Sequence, residues 1–269
     1  MMLINGIPMD RVSESDRGLT YGDGVFRTLV MRDRLPIWWD RHFLKLSEDC
    51  ARLGILCPPK NILGTELAML GENNRDCIIK LLITRGQGAR GYAIKPDVSP
   101  TRILGAFPLP VHPEAYREAG VRVRVCDLRL SHQPRLAGIK HLNRLENVLA
   151  RMEWDDPGIA EGLLLDQQEN VISGTMSNLI LLMGKTLVTP DLSQCGVAGV
   201  TRQSIMALAA EWGWQIKVQA VSLSHLLEAD EVLLCNSVIG VWQVAAIDET
   251  KWHAGSQIQK IRCALHGSN

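Results

Sequence analysis

The sequence has no excess of charge of either sign. Its 29 lysine and arginine residues balance 29 aspartate and glutamate residues, so the formal net charge is zero at pH 7. Proteins that bind nucleic acid by bulk electrostatics carry a basic surface, and this balance argues against a nucleic-acid partner. We therefore expect a partner that is recognised by a local site rather than by overall charge.

The sequence also lacks paired cysteines. Its seven cysteines are odd in number, and no Cys-x-x-Cys pair occurs among them. This pattern argues against a secreted disulfide framework and against a cysteine-based metal site. Several of the cysteines lie within apolar runs, which predicts buried thiols in a reducing compartment. The histidines show no ligand spacing either, and we expect no metal ion.

No apolar run approaches the roughly 18 residues that a membrane-spanning helix needs. The N-terminus turns polar at Asn5, and we expect a cytoplasmic protein without a membrane partner. The P-loop of nucleotide-binding proteins is absent, and the glycines of Gly86-Gln87-Gly88 are not followed by the helix that a dinucleotide site needs. A nucleotide enzyme is not favoured.

The chain has 269 residues, of which 46% are hydrophobic, which is enough to bury a large core. One large or two medium domains are expected at this length. Pro108, Pro110 and Pro113 crowd a segment that suits neither a helix interior nor a central strand. We place a domain boundary there. It separates a small N-terminal α+β domain, residues 1–110, from a larger sheet-rich C-terminal domain, residues 111–269.

Hydrophobic periodicity predicts the secondary structure of both domains. In the first domain, Asp40 is a candidate N-cap for a helix that follows it. The predicted strands there are 24–31, 77–84 and 102–107, and the helices are 43–53 and 61–70. In the second, the strands are 121–125, 162–166, 170–172, 178–183, 186–189, 216–220 and 231–235, and the helices are 143–154, 201–212 and 224–228. The middle strands form an antiparallel meander, and their connections argue against a parallel βαβ series.

A lysine in the second half stands where a reactive amine is plausible on chemical grounds. Lys140 follows a Gly-Ile pair and precedes a predicted helix, within Gly138-Ile-Lys-His-Leu-Asn-Arg-Leu-Glu146. Burial lowers the pKa of a lysine below its ordinary value of about 10.4, and the neutral amine then forms Schiff bases. The alternative is an ordinary surface lysine, and the residues alone leave it open.

Four blocks together resemble the fold-type IV pyridoxal-phosphate enzymes, and within that family the aminodeoxychorismate lyases. They occur in family order and cover nearly the whole chain. The blocks are Arg17-Gly-Leu-Thr-Tyr-Gly-Asp-Gly24, Thr84-Arg-Gly-Gln-Gly-Ala-Arg-Gly-Tyr92, the Lys140 segment and Gly174-Thr-Met-Ser-Asn-Leu179. The resemblance implies an α+β, two-domain fold like that of the D-amino-acid aminotransferases, with pyridoxal 5'-phosphate between the domains.

The resemblance also assigns the cofactor-binding residues. Lys140 matches the lysine that carries the cofactor as a Schiff base and later moves protons. Val200 and Thr201 match the helix N-terminus that binds the phosphate, where backbone N–H groups and the helix dipole favour an anion. Ser237 matches a hydroxyl that also bonds the phosphate. Lys45 stands where relatives usually have arginine, and an ammonium lacks the bidentate geometry of a guanidinium.

Ser173 is the main departure from the family pattern. Relatives usually have glutamate at this place, where its carboxylate keeps the pyridine nitrogen of the cofactor protonated. A hydroxyl supplies no counter-charge, which weakens transamination more than an elimination that forms an aromatic ring. The substitution therefore favours a lyase. A one-residue slip in register, or a glutamate supplied from elsewhere, is the alternative.

Three residues are candidates for substrate binding by the same resemblance. Arg90 lies on the glycine-rich loop and matches an arginine that binds a substrate carboxylate, a task suited to a guanidinium. Arg27 stands where many aminotransferase relatives have glutamate, either near the pocket or on the surface. Tyr21 is expected to line the site.

The resemblance implies a lyase that converts 4-amino-4-deoxychorismate to 4-aminobenzoate and pyruvate in folate biosynthesis, as a homodimer. An aminotransferase for D-amino or branched-chain amino acids is the first alternative. A non-catalytic protein that binds pyridoxal phosphate is the second. An aminotransferase needs a keto-acid acceptor and a lyase does not, which separates the two enzymes by assay.

Overall fold

The computed structural model describes residues 1–267. They divide into two compact units, which are described separately. Unit 1 comprises Met1–Pro110 and Ile139–Asn143, and unit 2 comprises residues 111–138 and 144 onward. The sequence assigned Lys140 to the C-terminal domain, whereas its segment belongs to unit 1, because Ile139 is fully buried in the core of that unit. That the units are separate domains divided near residue 110 stays a prediction.

Unit 1 is built on a six-stranded sheet with strand order β2-β1-β6-β5-β3-β4, in which neighbouring strands are antiparallel. The strands are β1 (Met2–Ile4), β2 (Ile7–Pro8), β3 (Gly24–Arg32), β4 (Leu35–Pro36), β5 (Cys77–Thr84) and β6 (Thr101–Phe107). Its helices are α1 (Arg17–Tyr21), α2 (Trp39–Leu53) and α3 (Lys60–Asn73). The three strands and two helices predicted for this region are all present.

One face of β3 and β5 forms the core of unit 1 with α2 and α3. Alternate residues of β3 point into this core, as the two-residue period of a strand requires. Val25, Leu29 and Met31 are buried there, and Arg27 shares their face and is only 2% exposed. Of the two positions that the sequence left open for Arg27, the surface one is therefore wrong.

Helix α2 begins earlier than its predicted N-cap. Trp38 occupies the cap position with a φ of 53°, and no side chain caps the helix. Asp40 lies inside the first turn, where its carboxylate accepts a hydrogen bond from Lys60 at 2.6 Å. A carboxylate in the first turn still interacts favourably with the helix dipole, so the residue type indicated the correct end of the helix but the wrong position.

Unit 2 is built on a nine-stranded sheet with strand order β12-β11-β10-β13-β14-β7-β8-β9, and β15 pairs with β14. Strand β9 also pairs with β10, which closes six strands into a ring. The strands are β7 (Val121–Leu130), β8 (Ile159–Asp166), β9 (Val171–Gly174), β10 (Asn178–Met183), β11 (Thr186–Pro190), β12 (Gln215–Gln219), β13 (Glu231–Asn236), β14 (Gly240–Ile247) and β15 (Thr250–Lys251). The helices are α4 (Ala115–Glu118), α5 (Leu145–Arg151), α6 (Val200–Glu211), α7 (Leu223–Leu227) and α8 (Ser256–Gly267).

The predicted antiparallel meander corresponds to β8 through β11, whose successive pairs are antiparallel. The argument against parallel βαβ connections is wrong at two places. Strands β7 and β8 are parallel and are joined through α5, and β11 and β12 are parallel and are joined through α6. Both connections are long enough for the crossover that parallel pairing requires. No helix within residues 1–267 combines the length and apolar character that a bilayer crossing requires.

Candidate active site

The backbone around Lys140 is held firmly against strand β3. His141 forms a bridge with Val25, Phe26 N donates to Lys140 O at 2.9 Å, and Leu142 N donates to Gly24 O at 3.0 Å. The Lys140 side chain is half-buried, and its Nζ lies 4.6 Å from the centroid of the Phe26 ring. An ammonium over an aromatic face is attracted by the ring quadrupole. The amine is thus carried by a backbone with little freedom to move.

Asp49 of α2 brings three predicted site residues together. Its carboxylate is fully buried and accepts hydrogen bonds from the Arg27 guanidinium, the Lys45 ammonium and the backbone N–H of Lys140, the last at 3.0 Å. We call Arg27, Lys45, Asp49 and the Lys140 backbone the Asp49 cluster. Asp49 was not predicted as a site residue, although it lies four residues after Lys45, a spacing that places both side chains on one face of a helix.

The Asp49 cluster carries more positive than negative charge. Burial lowers the pKa of Arg27, although the Asp49 carboxylate opposes that shift, and the cluster contains two cations for one carboxylate. Among residues 1–267, neither Arg27 Nε nor His42 Nδ1 has a hydrogen-bond partner, although both atoms are buried. A cationic environment of this kind favours an anionic ligand nearby.

The neutral state of His42 makes folding stability depend on pH. Burial, followed by the charges of Arg27 and Lys140, lowers the pKa of His42 from 6.5 to about 3. The unfolded chain therefore binds a proton at this imidazole below about pH 6.5 and the folded chain does not, so stability falls as the pH drops from there towards 3.

We expect His42→Gln to remove this loss. The wild-type unfolding free energy should fall by up to about 1.4 kcal/mol per pH unit more steeply than that of the variant. Urea unfolding at pH 7 and pH 5 measures the difference. His253→Gln is the matched control because that side chain is exposed. If the unfolding free energies of the wild type and of His42→Gln change equally between pH 7 and pH 5, folding does not lower the pKa of His42.

Tyr21 and Arg90 belong to a second arrangement in unit 1, around the glycine-rich loop. The Tyr21 hydroxyl accepts a hydrogen bond from Gly91 N at 2.9 Å, and its ring lies 5.3 Å from that of Tyr92. Arg17 stacks on Tyr21 and donates to Gly91 O at 3.0 Å. Arg90 is exposed on the loop held in this way. Tyr21 therefore positions the loop, and Arg90 is among the residues that the loop exposes to solvent.

In unit 2, the N-terminus of α6 is shaped by Asn178. The Asn178 amide donates to Val197 O at 2.7 Å and accepts from Gly199 N at 3.1 Å. A Cβ at Gly199 would lie 2.2 Å from Asn178 Oδ1, so a side chain there would displace the Asn178 amide from these hydrogen bonds. Val200 and Thr201 are the first buried residues of α6. Their N–H groups lie in the first helical turn, which offers no intrahelical acceptor.

Ser237 lies beside this helix terminus. Its Oγ is 3.4 Å from Thr201 Oγ1. The Asn236 carboxamide oxygen accepts from Val238 N at 2.8 Å and from Ile239 N at 2.9 Å, which forms the turn that carries Ser237. The structure thus brings Val200, Thr201 and Ser237 together, and the backbone N–H groups and hydroxyls make a set of donors suited to an anion.

A buried cation in the same helical turn was not predicted. Arg202 donates to Thr189 Oγ1 at 2.8 Å and to Pro190 O at 3.1 Å, both uncharged oxygens. Burial lowers the pKa of Arg202. Its charge adds to the positive potential of the helix N-terminus. The signal in the sequence is an arginine directly after the predicted phosphate-binding pair, Val200 and Thr201.

Ser173 is buried on β9, 7% exposed, and its backbone pairs with Leu164 and Asn178. The neighbouring strand β8 carries a buried carboxylate, Glu161, which is 1% exposed. Its two oxygens accept five hydrogen bonds from the turn after β9 and from its own strand: from Gly162 N, Thr175 N, Thr175 Oγ1, Met176 N and Ser177 Oγ. Glu161 is therefore engaged in holding that turn.

The family model for amino-transferase class IV matches residues 24–247, which is most of the chain. The protein belongs to the class IV aminotransferase family. The matched region contains the Lys140 segment, the Asp49 cluster and the N-terminus of α6. The expected α+β, fold-type IV architecture is confirmed by the antiparallel sheet of unit 1 and the mixed sheet of unit 2, with their packed helices, and by solved structures of this family.

Relatives within the class IV family include both lyases and aminotransferases. The chain is 34% identical to an aminodeoxychorismate lyase of Vibrio harveyi, over 100% of this chain and 99% of the relative. It is 29% identical to a D-alanine aminotransferase of Bacillus licheniformis, over 92% and 88%. Among solved structures, a 4-amino-4-deoxychorismate lyase of Pseudomonas aeruginosa superposes with a TM-score of 0.95 at 46% identity, covering 99% and 98% of the two chains.

A more distant structure shows the fold alone. The branched-chain amino acid aminotransferase of Escherichia coli has a TM-score of 0.85 at 22% identity, covering 99% of this chain and 93% of that one. An identity of 22% between two chains indicates a shared fold but not a shared substrate, because one fold of this kind supports several reactions.

Proposed function

We propose that this class IV family member is a pyridoxal-phosphate-dependent lyase that converts 4-amino-4-deoxychorismate to 4-aminobenzoate and pyruvate, a step of folate biosynthesis. The similarity to lyases, at 46% and 34% identity over the full chain, supports this more strongly than the 29% identity to an aminotransferase. The observation that carries the proposal is the Lys140 amine, which stands on a fixed backbone beside a cationic cluster.

The residues present fit pyridoxal phosphate. The cofactor has an aldehyde, which suits the Lys140 amine, and a phosphate, which suits the Val200 and Thr201 amides with the Thr201 and Ser237 hydroxyls. We propose that Lys45, whose ammonium is buried against Asp49, is a cofactor-binding residue through the positive charge that it adds to the Asp49 cluster. When bound, the cofactor withdraws electrons from the carbon that bears the substrate amine.

The protein supplies proton transfer and orientation. We assign to the Lys140 amine the removal of the proton from the amine-bearing ring carbon, after which the ring carbon–oxygen bond to the enolpyruvyl group breaks and the ring becomes aromatic. The released enolpyruvate takes up a proton at its methylene carbon and becomes pyruvate. Arg90, exposed on its loop, is proposed to bind a substrate carboxylate. Arg27 is not proposed as a direct substrate ligand, because its guanidinium is buried against Asp49. Ser173 is compatible with this reaction because aromatisation supplies its own driving force.

The test is release of pyruvate and 4-aminobenzoate from 4-amino-4-deoxychorismate in the absence of any keto acid. We expect both products in equal amounts. An aminotransferase would instead need a keto-acid acceptor, and a protein that only binds the cofactor would show its absorbance without either product. Activity that appears only when a keto acid is added would therefore reject the lyase.

We also propose a homodimer. Helix α5 has an apolar stripe at the spacing of one helix face, and its members are exposed: Leu145, Val148, Leu149 and Met152. Sedimentation of the wild type should give a dimer, and Leu149→Asp should shift it to monomer. Val111→Asp, at an exposed apolar residue outside the stripe, should not. A monomeric wild type would contradict the proposal.

We place the enzyme in the cytoplasm. All seven cysteines are unpaired, and five of them are buried, as expected for thiols in a reducing compartment. Burial raises the pKa of the Cys126, Cys195 and Cys235 thiols to about 12, which keeps them unreactive.

A further inference from the structure

A single buried carboxylate connects helix α2, strand β3 and the lysine segment. Asp49 is 0% exposed and accepts from Arg27 of β3, from Lys45 one turn earlier on α2, and from the backbone N–H of Lys140. These contacts lie within unit 1. A carboxylate has enough acceptor positions for all three donors.

The bond to Lys140 completes the restraint of that residue's backbone. Its carbonyl oxygen already accepts a hydrogen bond from Phe26 N at 2.9 Å, and its N–H donates to Asp49 Oδ2 at 3.0 Å. The preceding Ile139 is fully buried. A hydrogen bond to a charged acceptor is stronger than one between neutral groups, so the carboxylate restrains this peptide more than an amide would.

The charge of Asp49 has a second consequence. Without it, two buried cations, Arg27 and Lys45, would lie uncompensated beside the lysine segment. Removing one member of a buried ion pair is costly because the remaining charge stays desolvated. Uncompensated cations would also repel the ammonium form of a neighbouring lysine.

We propose that Asp49 is a positioning residue for Lys140: it fixes the peptide from which the cofactor-binding amine extends and balances the two cations behind it. The inference rests on the proposed function, since it gives Lys140 the role of cofactor lysine. Asp49 acts through the Lys140 backbone and is assigned no contact with substrate.

Three variants separate the hydrogen bond from the charge. Asp49→Ala removes both, and Asp49→Asn keeps an acceptor oxygen but removes the charge. Glu48→Gln is the matched control, because it removes the same charge from an exposed position one residue earlier. If Asp49→Asn alone does not fold, Arg27→Gln with Asp49→Asn removes the carboxylate together with one of its two buried cations and keeps the acceptor.

The first readout is amide hydrogen exchange of Lys140 in the cofactor-free protein, followed by NMR. We expect exchange about tenfold or more faster in Asp49→Ala, a smaller acceleration in Asp49→Asn, whose amide oxygen is the weaker acceptor, and no change in Glu48→Gln. Ile79 and Leu81 of β5, in the core of unit 1, serve as internal references. If their amides accelerate as much as that of Lys140, Asp49 stabilises unit 1 as a whole and the positioning role is wrong.

The second readout is the affinity for pyridoxal phosphate, from titration of its absorbance band. We expect binding about tenfold or more weaker in Asp49→Ala, intermediate in Asp49→Asn and unchanged in Glu48→Gln. Wild-type affinity and wild-type Lys140 exchange in Asp49→Ala would overturn the role of Asp49 and leave the proposed function standing. A wild type that forms no band would overturn the proposed function and, with it, the positioning role.

Discussion

Replacing Lys140 by alanine is expected to abolish both the absorbance band of the cofactor attached covalently through this amine and the release of pyruvate. The side chain is assigned both the covalent attachment and the proton transfer, so turnover should fall by at least about 10³-fold. Absorbance of the purified variant and the assay without a keto acid measure the two effects. The fold should persist, because the backbone bonds of this residue, to Phe26 and Asp49, do not involve its amine.

Lys80→Ala is the matched control for this prediction. Its ammonium lies 5.8 Å from the centroid of the same Phe26 ring, but the side chain is exposed on β5. This variant should keep both the band and turnover. Lys140→Arg adds a second test, because it retains a cation near Phe26 while removing the amine. Turnover in Lys140→Ala close to that of the wild type would contradict the mechanism.

Glu161→Gln is expected to destabilise unit 2 strongly. The carboxylate is 1% exposed and accepts five hydrogen bonds. An amide in its place keeps one acceptor oxygen and turns a donor towards other donors, which leaves buried N–H and O–H groups unsatisfied. We expect a loss of about 2–4 kcal/mol in the free energy of unfolding.

Urea unfolding measures this loss, with Glu228→Gln as the control. Glu228 is exposed, and its replacement should change the free energy of unfolding by no more than about 0.5 kcal/mol. Because the turn held by Glu161 follows Ser173 and precedes Asn178, the variant should also weaken pyridoxal phosphate binding. Unchanged stability in Glu161→Gln would mean that the turn does not depend on the carboxylate charge.

Much of the fold could be predicted because the relevant signals are local. The bounds predicted for β5 and β10 agree with the observed strands, Cys77–Thr84 and Asn178–Met183, since runs of β-branched and aliphatic residues end there at turn residues. Strand β14 and helix α8 were missed. The sequence Gly240–Ile247 is almost uniformly buried and therefore lacks the alternation by which a strand is recognised.

Helix α5 shows where a local signal is overridden. The pattern predicted a helix over 143–154, but the helix occupies Leu145–Arg151. Asn143 donates its side-chain amide to Gly22 O at 3.1 Å, and Leu142 pairs with Gly24. These bonds reach more than one hundred residues back along the chain. No window of neighbouring residues contains that information, and tertiary pairing decides such cases.

The candidate site was likewise predicted in part from local sequence and decided in part by tertiary contacts. The sequence alone predicted that Lys140 is the reactive amine and that Val200 and Thr201 bind an anion, and its four blocks indicated the family. Tertiary structure decided that Arg27 is buried, that Lys45 is committed to a carboxylate, and that Asp49 joins both to the Lys140 backbone. Residue type and spacing indicate which chemistry a segment can perform. The pairing of charges distant in sequence depends instead on which strand faces which helix.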